Sequence, residues 1–177
     1  MHALARALGL AVTTRRIEWG PWHPGRCAEV LLDGRRIGLA GEFHPRVVST
    51  LGLPTGTVAA ECNLDILVAT AQELGPVPAP VISPYPPASV DVALVVADDV
   101  PAAEVEAALR DGTGALLEDI RLFDIYVGPQ VGEGRRSLAY SLRLRAPDRT
   151  LTDAEVLAAR DAAVAEATRR HGAALRT

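Results

Sequence analysis

The sequence predicts an α+β chain in two parts, and three features predict it. Short alternating strands and capped helices intermix along all 177 residues, rather than collecting into one class of element. Pro76, Pro78, Pro80, Pro84, Pro86 and Pro87 crowd one stretch. There they remove amide donors and favour extended backbone, so residues 76–87 read as a semi-rigid connector. Beyond it the elements follow in the order β-α-β-β-α-β, the split βαβ arrangement of ferredoxin-like domains. Two helices cover one face of such a sheet and leave the other open.

The first part, residues 1–75, opens with a short apolar helix over 3–8, stopped by Gly9. Residues 27–32 and 36–41 are strands joined at Asp33-Gly34, a pair that tolerates the positive φ angles of a tight hairpin. Residues 44–51 read as a helix with Gly52 past its end, 57–63 as a strand, and 64–73 as a helix. The piece is small and irregular for an independent domain.

The second part begins with a strand over 90–97 that carries Val92, Leu94 and Val96 on one face. Pro101 suits a first helical turn, Val105, Ala108 and Leu109 form an apolar stripe, and Gly112 and Gly114 are expected to stop that helix. In the strand 117–127 the apolar parity slips, from Ile120 and Leu122 to Phe123, Ile125 and Val127, which predicts a β-bulge near Phe123. In the next strand Leu138, Tyr140, Leu142 and Leu144 point one way, and Ser137, Ala139, Ser141, Arg143 and Arg145 the other. Thr152 and Glu155 are spaced for a capping box, with Leu151 and Val156 placed as a hydrophobic staple. The helix 153–170 sets Val156, Ala159, Ala163 and Ala167 on one side, Gly172 ends it, and 173–176 completes the pattern as an edge strand.

The totals exclude several functions. No apolar run reaches the roughly 20 residues of a membrane span, and Arg6 interrupts the apolar start, so a secretory signal is not expected. Cys27 and Cys62 lack metal spacing and read as reduced thiols of a cytoplasmic protein. His2, His23, His44 and His171 are scattered, and no metal site is expected. No catalytic constellation is present, and the glycines of 128–134 read as a hairpin loop rather than a phosphate loop. The net charge of −4 argues against bulk electrostatic grip on nucleic acid. Arg135, Arg136, Arg143, Arg145 and Arg149 nevertheless cluster against Asp148 alone. By parity Asp91, Ala93, Asp124, Tyr126, Ser141, Arg143 and Arg145 line the open sheet face. Tyr126 there suits a splayed base and the arginines suit phosphate, although a merely solvated face fits the same residues.

Three segments carry a family resemblance: Val90-Asp91-Val92-Ala93-Leu94-Val95-Val96, Arg121-Leu122-Phe123-Asp124-Ile125-Tyr126, and residues 132–156. They resemble the ferredoxin-fold anticodon-binding domain that ends the β chain of bacterial phenylalanine–tRNA ligase. Residues 22–30 and 41–47 resemble the end of that chain's synthetase-like core. The resemblance implies an α+β chain: a partial, catalytically silent synthetase-like core piece over 1–75, a linker over 76–87, and a ferredoxin-like βαββαβ domain over 88–177. It implies phenylalanine tRNA and the α chain as partners in an (αβ)2 assembly. ATP and magnesium belong to the full enzyme, and no cofactor to this fragment. Its RNA-binding candidates are Tyr126, Arg135, Arg136, Arg143, Arg145 and Arg149. One position departs from the family pattern: Val90 stands where many members carry Arg before the aspartate, so no contact of that arginine carries over. The alternative is a free-standing ferredoxin-like module for a ligand or a protein partner.

Overall fold

A computed structural model describes residues 1–76, 79 and 83–176. Its strands form two four-stranded sheets, one in each of two units, Met1–Pro80 and Val81–Thr177. Positions 77, 78 and 80–82 of the expected connector lie outside the described residues.

The first unit runs α1 (His2–Ala7), β1 (Thr13–Arg16), β2 (Trp22–Leu32), β3 (Arg35–Phe43), α2 (Pro45–Leu51), β4 (Val58–Cys62) and α3 (Leu64–Leu74). Its sheet has the order β1-β2-β3-β4, antiparallel at every pair. The hairpin turns where expected, with Asp33 at φ 49° and Gly34 at φ 79°. Two corrections concern strands. β1 was not anticipated, because all four of its residues are exposed and an edge strand of that kind shows no alternation. β2 begins at Trp22 rather than Cys27, because a register shift between those residues breaks the two-residue period. Ala5, Leu10, Val12, Val30, Leu32, Ile37 and Leu67 form the buried cluster between helices and sheet.

The second unit runs β5 (Ala88–Ala97), α4 (Ala102–Thr113), β6 (Leu117–Tyr126), β7 (Arg135–Leu144), α5 (Asp153–His171) and β8 (Ala174–Leu175). Its strand order is β6-β7-β5-β8, again wholly antiparallel. This is the ferredoxin-like arrangement. Leu138, Tyr140, Leu142 and Leu144 are fully buried with Val92, Leu94 and Val96 under Val105, Leu109, Ala163 and Ala167. Tyr140 survives there because its hydroxyl donates to the Ala102 carbonyl at 2.7 Å. Leu122 opposes Tyr140 and Asp124 opposes Ala139, which leaves Phe123 unopposed as the bulge. Both halves of the Thr152–Glu155 capping box form, and Gly172 ends α5 at φ 60°.

Gly112 requires a correction. It does not stop α4, which continues to Thr113 and ends at Gly114, φ 66°. A Cβ at Gly112 would lie 2.7 Å from both the Ala162 carbonyl oxygen and the Ala163 Cα. The residue is glycine because two helix backbones meet there, not because the chain turns.

Candidate nucleic-acid interface

The side of the second sheet away from α4 and α5 is built by pairing. Directly opposed residues of antiparallel strands share a face. Across β5, β7 and β6 the open face therefore reads Val95, Ser137, Tyr126 in one row and Ala93, Ala139, Asp124 in the next. Asp91, Ser141, Arg121 follow, then Ser89, Arg143, Asp119. The bulge at Phe123 sets this composition. From Asp119 to the bulge the odd positions of β6 face outward, and after it the even ones; a second register shift, between Leu117 and Asp119, leaves Leu117 on the covered side opposite Leu144.

Small side chains floor the first two rows, and Tyr126 lies over them. Gly128 lies against the phenol end of its ring, where a Cβ would sit 2.5 Å from the phenolic oxygen. The Arg176 guanidinium stacks over the ring at 4.6 Å from its centroid. Arg176 reaches the open face because its amide bonds Ala93 on β5, and its Nη2 donates to Gln130 Oε1 at 2.9 Å. Tyr126 thus lies on the open face, as the strand parity predicts, and Arg176 occupies its ring.

The arginines divide sharply. Arg143 is exposed, and its Nε donates to Glu118 Oε2. Arg145 Nε donates to the other oxygen of Glu118 at 2.7 Å, and its Nη1 to the carbonyls of Ser83 and Tyr85. With only 18% of its side chain exposed, Arg145 is a structural clamp on the chain entering the unit. The Arg143 hydrogen bond, more than that of Arg145, holds the Glu118 carboxyl below its ordinary range. Arg149 bonds Glu155 and Asp148, and so belongs to the start of α5. Arg136 opposes buried Val96 and donates to the Val100 carbonyl at 2.7 Å, on the helix-covered side. Arg135 opposes Ala97 and is exposed at the end of the open face.

The expected cluster against Asp148 alone is therefore corrected. Glu118 and Glu155, remote or across a turn, take three of those five arginines. Sequence reasoning overlooked Arg121, Asp119 and Arg176. The first two were signalled by the parity of β6 ahead of the bulge; nothing local marked Arg176. What remains is an aromatic flanked by carboxylates, hydroxyls and a few guanidinium groups. Such a face can stack a planar base and bond its edge while arginines touch the backbone.

Among the described residues no three His, Cys, Asp or Glu side chains converge on a metal position. None of their helices is long and apolar enough to cross a membrane.

Two family models match the chain. The ferredoxin-fold anticodon binding domain matches residues 83–176, and the phenylalanyl tRNA synthetase beta chain CLM domain matches residues 1–64. Curated relatives agree. The phenylalanine–tRNA ligase beta subunit of Streptomyces avermitilis is 58% identical over 180 residues, covering 99% of this chain and 21% of the relative. That of Mycolicibacterium paratuberculosis is 52% identical over 177 residues, 100% of this chain and 21% of its own length. That of Thermobifida fusca is 56% identical over 176 residues, 97% of this chain and 21% of its own. The chain thus spans about a fifth of the length of these relatives.

Proposed function

The chain belongs to the ferredoxin-fold anticodon-binding domain family, and on that premise we propose that it is a tRNA-binding part of a phenylalanine–tRNA ligase β chain. The supporting observation is the open face, with Tyr126 set beside Asp124, Ser137 and Ala93. A base of the anticodon region stacks on the Tyr126 ring in place of Arg176, and the neighbouring Asp124 carboxylate accepts a hydrogen bond from its edge. The freed Arg176 remains within reach of the neighbouring phosphate. Residues 1–64 support the same reading, since their family is the core of the same β chain.

ATP-dependent attachment of phenylalanine falls to the α chain of a cytoplasmic (αβ)2 enzyme in this reading. The donor groups described here do not fit magnesium, so no step of that chemistry is drawn through them. The β chain instead holds the tRNA. Nuclease footprinting of phenylalanine tRNA with the chain, with and without Tyr126→Ala, tests the assignment. Protection of the anticodon loop that Tyr126→Ala abolishes is the expected result. Protection confined to the acceptor arm, or none, refutes it.

One observation favours a second reading. Phe123 and Ile125 on the edge strand β6 and Val127 just past its end are 49%, 51% and 68% exposed, an apolar row that also suits a protein-interaction module.

A further inference from the structure

Few of the arginines that suggested an RNA surface are free to serve one. Arg143 and Arg145 share Glu118, Arg149 serves α5, Arg136 faces the helices, and Arg176 lies on Tyr126; Arg135 is exposed, but at the very end of β7 opposite Ala97 rather than within the face. Arg121 differs from all of them. It sits on the open face opposite Ser141, which is itself opposite Asp91. It is exposed and makes no side-chain hydrogen bond or ion pair among the described residues. Asp119 and Asp124 flank it on the same face of β6, and Asp91 lies across β7, yet none of them is within ion-pair distance. A guanidinium in that position is oriented by its strand and uncommitted.

We propose that Arg121 is a phosphate-contacting residue of the open face, for the backbone of a single-stranded RNA whose neighbouring base stacks at Tyr126. This rests on the open-face reading given above. Ser141 and Ser137 are four residues apart on β7, so Arg121 and Tyr126 lie about 13 Å apart along the strand direction, at roughly 3.3 Å per residue. That span exceeds one nucleotide of a stacked strand, whose rise is about 3.4 Å. The phosphate at Arg121 therefore belongs to a nucleotide beyond the stacked one. Binding must be cooperative between the two points. The nearby carboxylates keep the face from holding a polyanion by charge alone, so Arg121 engages once the base has anchored the strand. The bulge at Phe123 makes this geometry possible. Without it Arg121 and Tyr126 would point to opposite faces.

Fluorescence anisotropy of a labelled anticodon stem-loop of phenylalanine tRNA, titrated with the 177-residue chain at several salt concentrations, tests the proposal. Arg121→Ala is expected to reduce the log–log salt slope by about 0.7, the value of one single-strand phosphate contact. The wild-type advantage then shrinks about 2.6-fold for each fourfold rise in salt, by the same relation. Arg121→Lys should keep the wild-type slope, and Arg110→Ala, on α4, should change neither slope nor affinity. If Tyr126→Ala weakens binding while Arg121→Ala keeps the wild-type slope, the assignment of Arg121 is overturned and the open-face reading stands. If the wild type does not bind the stem-loop, or Tyr126→Ala binds as tightly as wild type, the open-face reading falls and Arg121 with it.

Discussion

Gly112→Ala sets two opposed effects against each other at one atom. In an ordinary helix interior the added methyl stabilises by about 1 kcal/mol, because glycine leaves more backbone entropy to lose. Here the new Cβ would stand 2.7 Å from the Ala162 carbonyl oxygen and the Ala163 Cα, and 2.9 Å from the Glu166 Cβ. Ordinary carbon contacts begin about 0.8 Å further out. Two of the three obstacles are backbone of α5, which no side-chain rotation relieves, so the helices must separate. Separation loosens Leu109 and Ala163, both fully buried beside the contact. Overpacking of this kind costs about 1–3 kcal/mol, and a backbone obstacle puts it at the upper end. Subtracting the propensity gain leaves a net destabilisation of about 2 kcal/mol. For a unit of this size that lowers the melting temperature by about 10 °C, read by circular dichroism on the purified chain. The reverse result, a stabilised protein, would mean that α4 and α5 do not meet at Gly112 and that the glycine is a helix stop after all.

Leu142→Ala should cost about 2–5 kcal/mol through lost burial and a residual cavity, whereas Thr152→Ala should cost about 1 kcal/mol as a lost cap. Equal losses in urea titrations would contradict the parity of β7. Acid should destabilise the second unit. Glu155, held chiefly by the Thr152 amide and then by Arg149, and Glu166, held chiefly by Arg169, are both lowered to about 2. Folded values below the unfolded value of about 4.3 give stabilisation that is complete above that pH and lost as pH falls towards 2. Glu155→Gln should flatten this limb of a stability–pH curve, and an unchanged limb would remove Glu155 from the linkage. Arg145→Ala releases the carbonyls of Ser83 and Tyr85. Hydrogen exchange at the Ser83 and Tyr85 amides, the exchangeable ones in residues 83–87, should accelerate while the salt slope of RNA binding stays at its wild-type value; a fallen slope would make Arg145 an RNA contact.

Much of this protein was decided by local order in the sequence. The inward parity of β7, the Thr152–Glu155 capping box, the Asp33-Gly34 turn and the bulge at Phe123 each depend on residues within a few positions of one another. Backbone geometry and side-chain period act at that range, so composition and spacing suffice. The order of these elements then selects the ferredoxin-like sheet, because short antiparallel connections leave few ways to bury the apolar faces. Tertiary structure alone decided which charges are free. Arg143 and Arg145 meet Glu118 across 25 and 27 positions, and Arg176 reaches Tyr126 from the far edge of the sheet. Gly112 is required by a helix some fifty positions on, at Ala162 and Ala163. β1 left no pattern because an edge strand exposed on both sides needs no alternation. A sequence shows where an arginine lies along the chain, but its partner is fixed only when the sheet closes. Ion pairs and stacking act through a few ångströms of space and are indifferent to distance along the backbone.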